Sequence, residues 1–368
     1  MSRRVEIWTT LAGPDMGPDP ELTKLLARAS RVEADGWSGA TLADSQNLRG
    51  DVFVALTAVS LATSKLKIGT GTSNPATRHP AVIASAAASL QILSKGRMSL
   101  SLGRGDSSLA YIGVPPVPVG LFERGLAMIQ TYLRGEGIPL EEAASMISGV
   151  HSGFDQLAIA SAPEASRLVW LPAGFVKPEV EVTATGPKVI AAAARHADCI
   201  SFAVGADVER LKWAIGIARE EIEKAGRAAA DVRLGAYLPL YPHDNVDVAR
   251  QLAQGMVASQ SRFSIMNKKV VGPVTEAQRQ VLEKVGSSYD MKNHGSASAK
   301  QSTAVDADFI DNFGLVGDPA RCADRLQEII ELGVERLNLW TPVSTEGEPG
   351  ESYRMAAERV LPAVKAAL

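Results

Sequence analysis

The sequence predicts a single (β/α)8 TIM barrel over residues 1–368, and three observations lead there. Short β-rich runs alternate with Ala-, Leu- and Glu-rich helical stretches, eight such units follow one another, and several runs end in a polar residue. Strands alternating with helices imply a parallel sheet. Eight such units fit a closed barrel better than an open sheet. The polar residues just past the strand ends, Asp44, Thr72, Asp106 and Thr185, would then gather at one mouth, where active sites of this architecture lie.

Each unit has its own signal. "VEIWTT" precedes a helix starting near Pro20, where Leu22, Leu25, Leu26 and Ala29 recur with helical spacing. "GWSGATLAD" is followed by the helix "DVFVALTAVSLAT", with Asp51 placed to cap it. "KLKIGTG" leads to a helix from His79-Pro80 to Leu93, Pro80 suiting the first turn. "RMSLSLG" leads to a helix over Val119–Leu133. "EVEVTAT" precedes "PKVIAAAARH", and "DCISFAV" precedes a helix from Val208 to Ala225. "VRLGAYLPLY" precedes a helix from Val246 to Ala258, and "VERLNLW" precedes "ESYRMAAERVLPAVKAAL".

Two inserted segments break the rhythm. Within about 137–177, "LAIASA" and "RLVWLP" read as a paired hairpin. The segment 260–308 contains "GSSYDMKNHGSASAKQSTAVD", whose Gly, Ser, Lys and Asn suit a core poorly, and it reads as a lid over the mouth or a surface loop.

Composition narrows the function. The chain is 46% hydrophobic and 21% charged with a net charge of −3, ordinary for a soluble globular protein. That balance gives no basis for a nucleic-acid partner. Two cysteines, Cys199 and Cys322, make neither a disulfide framework nor a Cys-rich metal site, and the five histidines are scattered, so no metal is expected. "MSRRVEIW" lacks the apolar core of a signal peptide, and no apolar run reaches about 18 residues. No membrane association and a cytoplasmic location follow by elimination. Neither a nucleophile elbow nor a Walker A motif is present. A barrel mouth with few acid–base groups points to chemistry borrowed from a bound cofactor.

Three loops could hold one. "SLGRGDSS" reads as an adhesion tripeptide, a degraded dinucleotide loop with Glu123 as its ribose acid, or a glycine-opened turn that lets a flat ligand approach. Proline-rich "YIGVPPVP" stands where the dinucleotide fold needs a helix, which favours the third reading. In "GTGTSNPATRHP", Gly69 and Gly71 permit unusual backbone angles or a bulge, and Arg78 and His79 fall beside a helix start. In "TATGPKV", Gly186, Pro187 and Lys188 offer free backbone N–H groups and a positive charge to a phosphate, or form a plain strand-to-helix turn.

The stretch "ADGWSGATLADSQNLRGDVFVALTAVSLATSKLKIGTGTSNPATRHPAVIASAAASLQILSKGRMSLSLGRGDS" resembles the bacterial-luciferase-like flavin and F420-dependent oxidoreductases. "TSNPATRHPAVIASAAASLQILSKGR" is most similar to the branch that includes the methylenetetrahydromethanopterin reductases, and "TGPKVIAAAARHADCI" and "FGLVGDPARCADRLQEIIELGVERLNLW" match later elements. The resemblance runs from about residue 4 to 340 and implies a barrel with a flavin or deazaflavin ring at its mouth. It implies that Gly71, Thr72 and Ser73, with Asn74, form a bulge behind the ring, often with a non-prolyl cis peptide. It further implies that Gly103, Arg104 and Gly105 line the cofactor, that Thr185, Gly186, Pro187 and Lys188 receive its phosphate, and that Arg78 adds positive charge.

Many relatives carry Asp-His or Glu-His after the second strand, whereas this chain has Asp44-Ser45. Serine is a far weaker proton donor, so general acid–base catalysis by a histidine after the second strand is not expected. The candidate catalytic residues are Asp44 and Ser45, Asp44 able to hydrogen-bond cofactor or substrate, and His294, which with Tyr289 and Asp290 would bring substitute polar groups from the lid. The implied activity is hydride transfer between reduced coenzyme F420 and a small organic substrate. The alternatives are a monooxygenase using reduced FMN and dioxygen, and a non-catalytic flavin-binding protein. A homodimer or higher homo-oligomer is also expected, because "VFVALTAVSLAT" and "AVIASAAASLQIL" are apolar over most of their surface.

Overall fold

The computed structural model describes residues 5–11, 22–147, 159–293, 296, 298–341 and 350–368. Eight parallel strands close a ring: β1 (Glu6–Thr10), β2 (Gly39–Leu42), β3 (Lys67–Thr70), β4 (Met98–Leu102), β5 (Glu179–Ala184), β6 (Cys199–Phe202), β7 (Arg233–Pro242) and β9 (Arg336–Trp340). Each pairs with the next, β7 pairs with β9, and β9 returns to β1. These are the eight strands expected from the sequence, closed as a (β/α)8 barrel. A further strand, β8 (Leu315–Gly317), pairs only with the far end of β7, outside the ring.

The helices flank the ring: α1 (Leu22–Ala34), α2 (Val52–Ala62), α3 (Pro80–Leu93), α4 (Ser107–Ala110), α5 (Val119–Leu133), α6 (Leu140–Ala144), α7 (Pro187–His196), α8 (Val208–Lys224), α9 (Val246–Ser261), α10 (Glu276–Ser288), α11 (Ala307–Phe313) and α12 (Pro319–Glu331). A last helical stretch, 351–366, contains a π-helical turn at Ala356–Val360. Their starts obey local chemistry. Asp51 accepts from the Phe53 and Val54 amides at 2.9 and 3.2 Å, and Nδ1 of His79 accepts from Ala81 N ahead of Pro80. His79 is thus a capping residue.

The barrel places apolar side chains outward and charges inward. Ile7, Ala40, Ile68, Leu100, Val182 and Ile200 join the buried faces of the helices in the main core. Arg336, 1% exposed, reaches Ser99 Oγ at 2.9 Å, Glu181 at 3.2 Å, Glu6 at 3.1 Å and Glu179 at 2.5 Å. β4 and β5 do not neighbour β9, so these contacts cross the lumen. The Arg336 guanidinium also lies 4.5 Å from the centroid of the Trp8 ring, whose indole N–H donates to Glu6 at 3.0 Å. Three carboxylates, Glu6, Glu179 and Glu181, thereby meet three cations, Lys67, Arg233 and Arg336.

The hairpin expected in the first insertion is corrected. The described residues between 159 and 178 form no strand, and the pairing there is a single antiparallel bridge, Ile138 to Ser166. Pro163, Pro172 and Pro178 remove ladder donors, and "RLVWLP" is turn and loop with Val169 exposed. Part of "LAIASA" lies outside the described residues. The segment 260–308 is more than a polar loop. It contains α10, opened by a capping box between Thr275 and Gln278, which buries Val281, Leu282 and Val285. These pack with Met256 and Val257 of α9 and Phe309 and Phe313 of α11 in a second apolar cluster.

Replacing Arg336 with leucine should cost about 3–5 kcal/mol in a urea titration, because it leaves buried carboxylates without their counter-charge. The pH dependence has a definite sign. Burial alone would raise the Glu6 carboxyl, but Arg336, Arg233 and Lys67 together outweigh it and hold its pKa at about 2 against an ordinary 4.5. Ionised Glu6 therefore favours the fold, a contribution complete above pH 4.5 and lost as pH falls towards 2. Thermal unfolding measured across that window should show Tm falling in the wild type and a flatter profile in Glu6→Gln.

Candidate active site

At the C-terminal ends of the strands the lumen opens into two adjoining chambers. The inner one, about 320 Å³, has Asp44, Ser45, Tyr237, Gln260 and Trp340 in its wall. The outer one, about 740 Å³, runs along Arg104, Gly186–Lys188 and Lys269. Thr72, Gly105, Asp106, Thr183, Ala203 and Phe263 line both, so the glycine turns after β3 and β4 and the turn after β5 converge on one rim.

The glycines act mainly by yielding space to neighbouring side chains. A Cβ on Gly71 would lie 2.7 Å from the Thr41 side chain, and one on Gly69 would lie 2.8 Å from the Ser99 carbonyl oxygen. Neither has a positive φ, so close packing and not left-handed backbone accounts for glycine at these two positions. The Gly71–Thr72 peptide is cis. A Cβ on Gly103 would meet Thr72 Oγ1 at 2.9 Å, so this glycine makes room for the threonine hydroxyl. Gly105 has left-handed backbone, φ +73°, as does Gly272 in the outer chamber's wall, φ +86°.

The support beneath the rim is polar and bonded. Asp44, buried, accepts from Ser73 Oγ at 2.6 Å and is ion-paired with Arg78, which also reaches Asp51 at 2.7 Å and lies over the Phe53 ring. Ser45 Oγ and Ser107 Oγ share a hydrogen bond of 2.7 Å. Asn74 Nδ2 donates to Ser108 Oγ at 3.1 Å, and Gln46 donates to the Ser108 carbonyl at 2.7 Å. Of the residues picked from sequence, Asp44, Ser45, Gly71, Thr72, Gly103, Arg104, Gly105, Thr185, Gly186, Pro187 and Lys188 line the chambers. Ser73 and Asn74 are buried behind the wall, and Arg78 is held by the two carboxylates. His294 lies outside the described residues.

The three readings of "SLGRGDSS" are separated by these contacts. Arg104 Nε donates to the Val117 carbonyl at 2.5 Å, and Asp106 is ion-paired with Arg262, so neither is displayed as an adhesion ligand. Glu123 is engaged by Arg195 at 2.6 Å, and α4 has only four residues, so the dinucleotide reading fails too. The turn is a wall of the mouth.

Charge is divided between the chambers. In the outer one, α7 begins at Gly186 without a side-chain cap, and neither Lys188 nor Lys269 has an ion-pair partner among the described residues. Burial pulls the Arg104 guanidinium below its usual pKa. The segment after α9 is tied down over the mouth. Arg262 pairs with Asp106 and stacks 4.5 Å from the Tyr289 ring centroid, and Tyr111 Oη donates to the Met291 carbonyl at 3.0 Å. Burial pushes the Tyr289 hydroxyl up to about 12. Among the described residues no cluster of His, Cys, Asp or Glu could hold a metal, and no helix is long and apolar enough to cross a membrane.

Sequence reasoning missed Tyr237, Gln260, Thr183, Phe263, Lys269 and Trp340. Strand parity could have found some of them. Glu181 and Thr183 on β5, Gly235 and Tyr237 on β7, and Arg336, Asn338 and Trp340 on β9 alternate along the lumen face, and the last of each series reaches the mouth.

The strand-end turns thus enclose a two-chambered mouth at the end of the barrel where active sites of this architecture lie. The chain matches the model of the luciferase-like monooxygenases over residues 4–336, and it belongs to that family. A 5,10-methylenetetrahydromethanopterin reductase from Methanolobus tindarius is 25% identical over 343 residues, 91% of this chain and 95% of the relative. The structure of the coenzyme F420-dependent tetrahydromethanopterin reductase from Methanopyrus kandleri aligns with a TM-score of 0.71 at 23% identity, covering 98% of this chain and 99% of the other. An F420-dependent secondary alcohol dehydrogenase in complex with an F420–acetone adduct aligns with the same TM-score at 16% identity, covering 98% and 99%. These two structures share the fold.

The Gly103–Thr72 contact can be tested by a double-mutant cycle. Gly103→Ala alone should destabilise by about 1–3 kcal/mol through overpacking. Thr72→Ala removes the obstructing hydroxyl, so the double variant should recover at least about 1 kcal/mol in chemical denaturation.

Proposed function

We propose that the protein is an F420-dependent oxidoreductase that passes hydride between reduced deazaflavin and a small organic substrate. The observation that carries this reading is the outer chamber. An uncapped helix start, Lys188, Lys269 and Arg104 lie along one cavity, while its carboxylate, Asp106, is already neutralised by Arg262. That arrangement fits a long anionic tail with a phosphodiester better than a compact neutral ligand.

The residues present also fit a flat ring at the junction of the chambers. Thr72, Gly103 and Gly105 keep that wall shallow, and Gly71 and Gly103 have no room for a Cβ. The bound cofactor would supply the hydride. The chain's own groups bind, orient and exclude water. Asp44 stays fixed between Ser73 and Arg78, and Ser45 and Ser107 present hydroxyls to the inner chamber. Residues 260–308 act as the lid, tied to the rim through Arg262 and Met291. Binding energy then goes into placing the substrate carbon against the ring.

A second reading, reduced FMN with dioxygen, is supported by the monooxygenases that give the family its description. FMN carries a shorter anionic tail and leaves Lys269 less to do. The protein is further proposed to work in the cytoplasm as a homodimer. Val54 and Leu61 of α2 and Val82, Ile92 and Leu93 of α3 are 44–70% exposed, an apolar face that a second copy would cover.

Anaerobic titration should show F420 binding at least tenfold tighter than FMN, with Lys188→Glu and Lys269→Glu each weakening F420 by about tenfold, or 1.4 kcal/mol. Oxygen uptake coupled to product formation would decide for FMN. Light scattering at micromolar concentration should give twice the chain mass.

A further inference from the structure

The wall of the inner chamber carries two cations. Arg49, half-buried in the loop after β2, and Lys292, exposed in the segment after α10, both line it, and neither lines the outer chamber. The two carboxylates of the same wall are already spent. Asp44 is ion-paired with Arg78 and Asp106 with Arg262, and neither of those arginines is in the wall. Lys292 has no ion-pair partner among the described residues.

A lysine in water costs a fold little, so its presence alone says nothing. What distinguishes Lys292 is that the backbone beneath it is fastened over the mouth. The Tyr111 hydroxyl, just after α4, donates to the Met291 carbonyl at 3.0 Å. On the other side, Asp290 N donates to the side-chain oxygen of Gln301 at 2.9 Å, and Gln301 is fully buried. The nearest acid in the chain, Asp290, is occupied by its own turn: its two oxygens accept from Lys292 N at 3.0 Å and Asn293 Nδ2 at 2.7 Å. The lysine is thus held at the chamber while the carboxylate next to it is kept for the turn.

The surroundings narrow what that charge meets. Leu48, Met256, Phe263 and Trp340 give the chamber an apolar wall, which suits a carbon skeleton. The long helix start that would cradle a phosphate, Gly186 at the head of α7, opens on the outer chamber only. The Arg49 guanidinium is a planar fork of N–H donors that matches a carboxylate.

We infer that the inner chamber takes an organic acid: a small, apolar carbon skeleton with one carboxylate, recognised by Lys292 together with Arg49. Calling this acid the substrate rests on the proposed function, in which the outer chamber holds the cofactor tail. Lys292 anchors the carboxylate at the lid side, and the skeleton extends towards the junction of the chambers. Lys292 determines specificity by charge and takes no part in the transfer itself.

The test uses cyclohexanecarboxylate and its neutral isostere cyclohexanecarboxamide, titrated into the full-length protein by ligand-observed NMR, with F420 titrated separately by absorbance. The wild type should bind the carboxylate at least about tenfold tighter than the amide, the effect of a charge pair in a partly screened site. Raising the ionic strength from about 0.05 to about 0.5 M should narrow that preference. Lys292→Gln should cut it to below about threefold, Lys292→Arg should retain most of it, and Lys292→Gln combined with Arg49→Gln should bind both compounds alike. The Lys292 variants should keep wild-type F420 affinity and unfolding temperature. The inference is overturned if the wild type binds neither compound or both equally, or if Lys292→Gln keeps the full preference. It is also overturned if Lys292→Gln weakens F420 while sparing the carboxylate, which would assign the lysine to the cofactor. A carboxylate preference that depends on Lys292, in a protein with no affinity for F420, would instead remove the F420 reading and leave the acid site in place.

Discussion

The lumen of this barrel is held together by charge, and the mouth depends on it. Arg336 is surrounded by Glu6, Glu179, Glu181, Ser99 and the Trp8 ring, contributed by strands that face one another across the interior. An ion network of this kind has narrow geometric tolerance. A slip of one residue in any of these strands would turn its charged member towards the helices, where no partner waits. Register is therefore specified from within, and the strand ends arrive at the rim at defined heights. The Gly235–Arg336 and Tyr237–Asn338 pairing places Tyr237 above the ionic layer and inside the mouth.

Above that layer the chemistry changes from matched charges to unmatched ones. At the floor every described carboxylate has a cation. Around the rim Asp44 and Asp106 are also neutralised, yet Lys188 and Lys269 have no ion-pair partner among the described residues. Unfilled capacity in a folded protein is informative because folding alone gives no reason to keep it. Under the proposed function, the cationic side of the outer chamber is where the phosphate-bearing tail of the cofactor would lie.

The barrel was legible in the sequence because its strands and helices carry short-range signals. Asp51, Pro80 and Pro187 mark helix starts through chemistry that acts within a few residues. The rim glycines were legible as positions but not in their cause, since the obstruction at Gly71 comes from Thr41 and that at Gly103 from Thr72. Such contacts join different turns and leave no local pattern. Ser73, Asn74 and Arg78 sit beside true wall residues in the chain, and only the fold separates wall from backing. α10 was hidden by its polar surroundings, because the apolar row Val281, Leu282, Val285 is short and its partners lie on α9 and α11. Tyr237 was hidden in an apolar strand, where one hydroxyl does not announce which side it faces.

The two apolar clusters share no buried residue: one lies between the ring of strands and its helices, the other gathers α9, α10 and α11 beside β8. The ring and the α9–α11 cluster are thus stabilised by separate sets of buried contacts. If residues 260–308 act as the proposed lid, substitutions in α10 and α11 would reshape it while leaving the packing of the ring's own core alone. A protein divided in this way could change what it admits without changing how it stands.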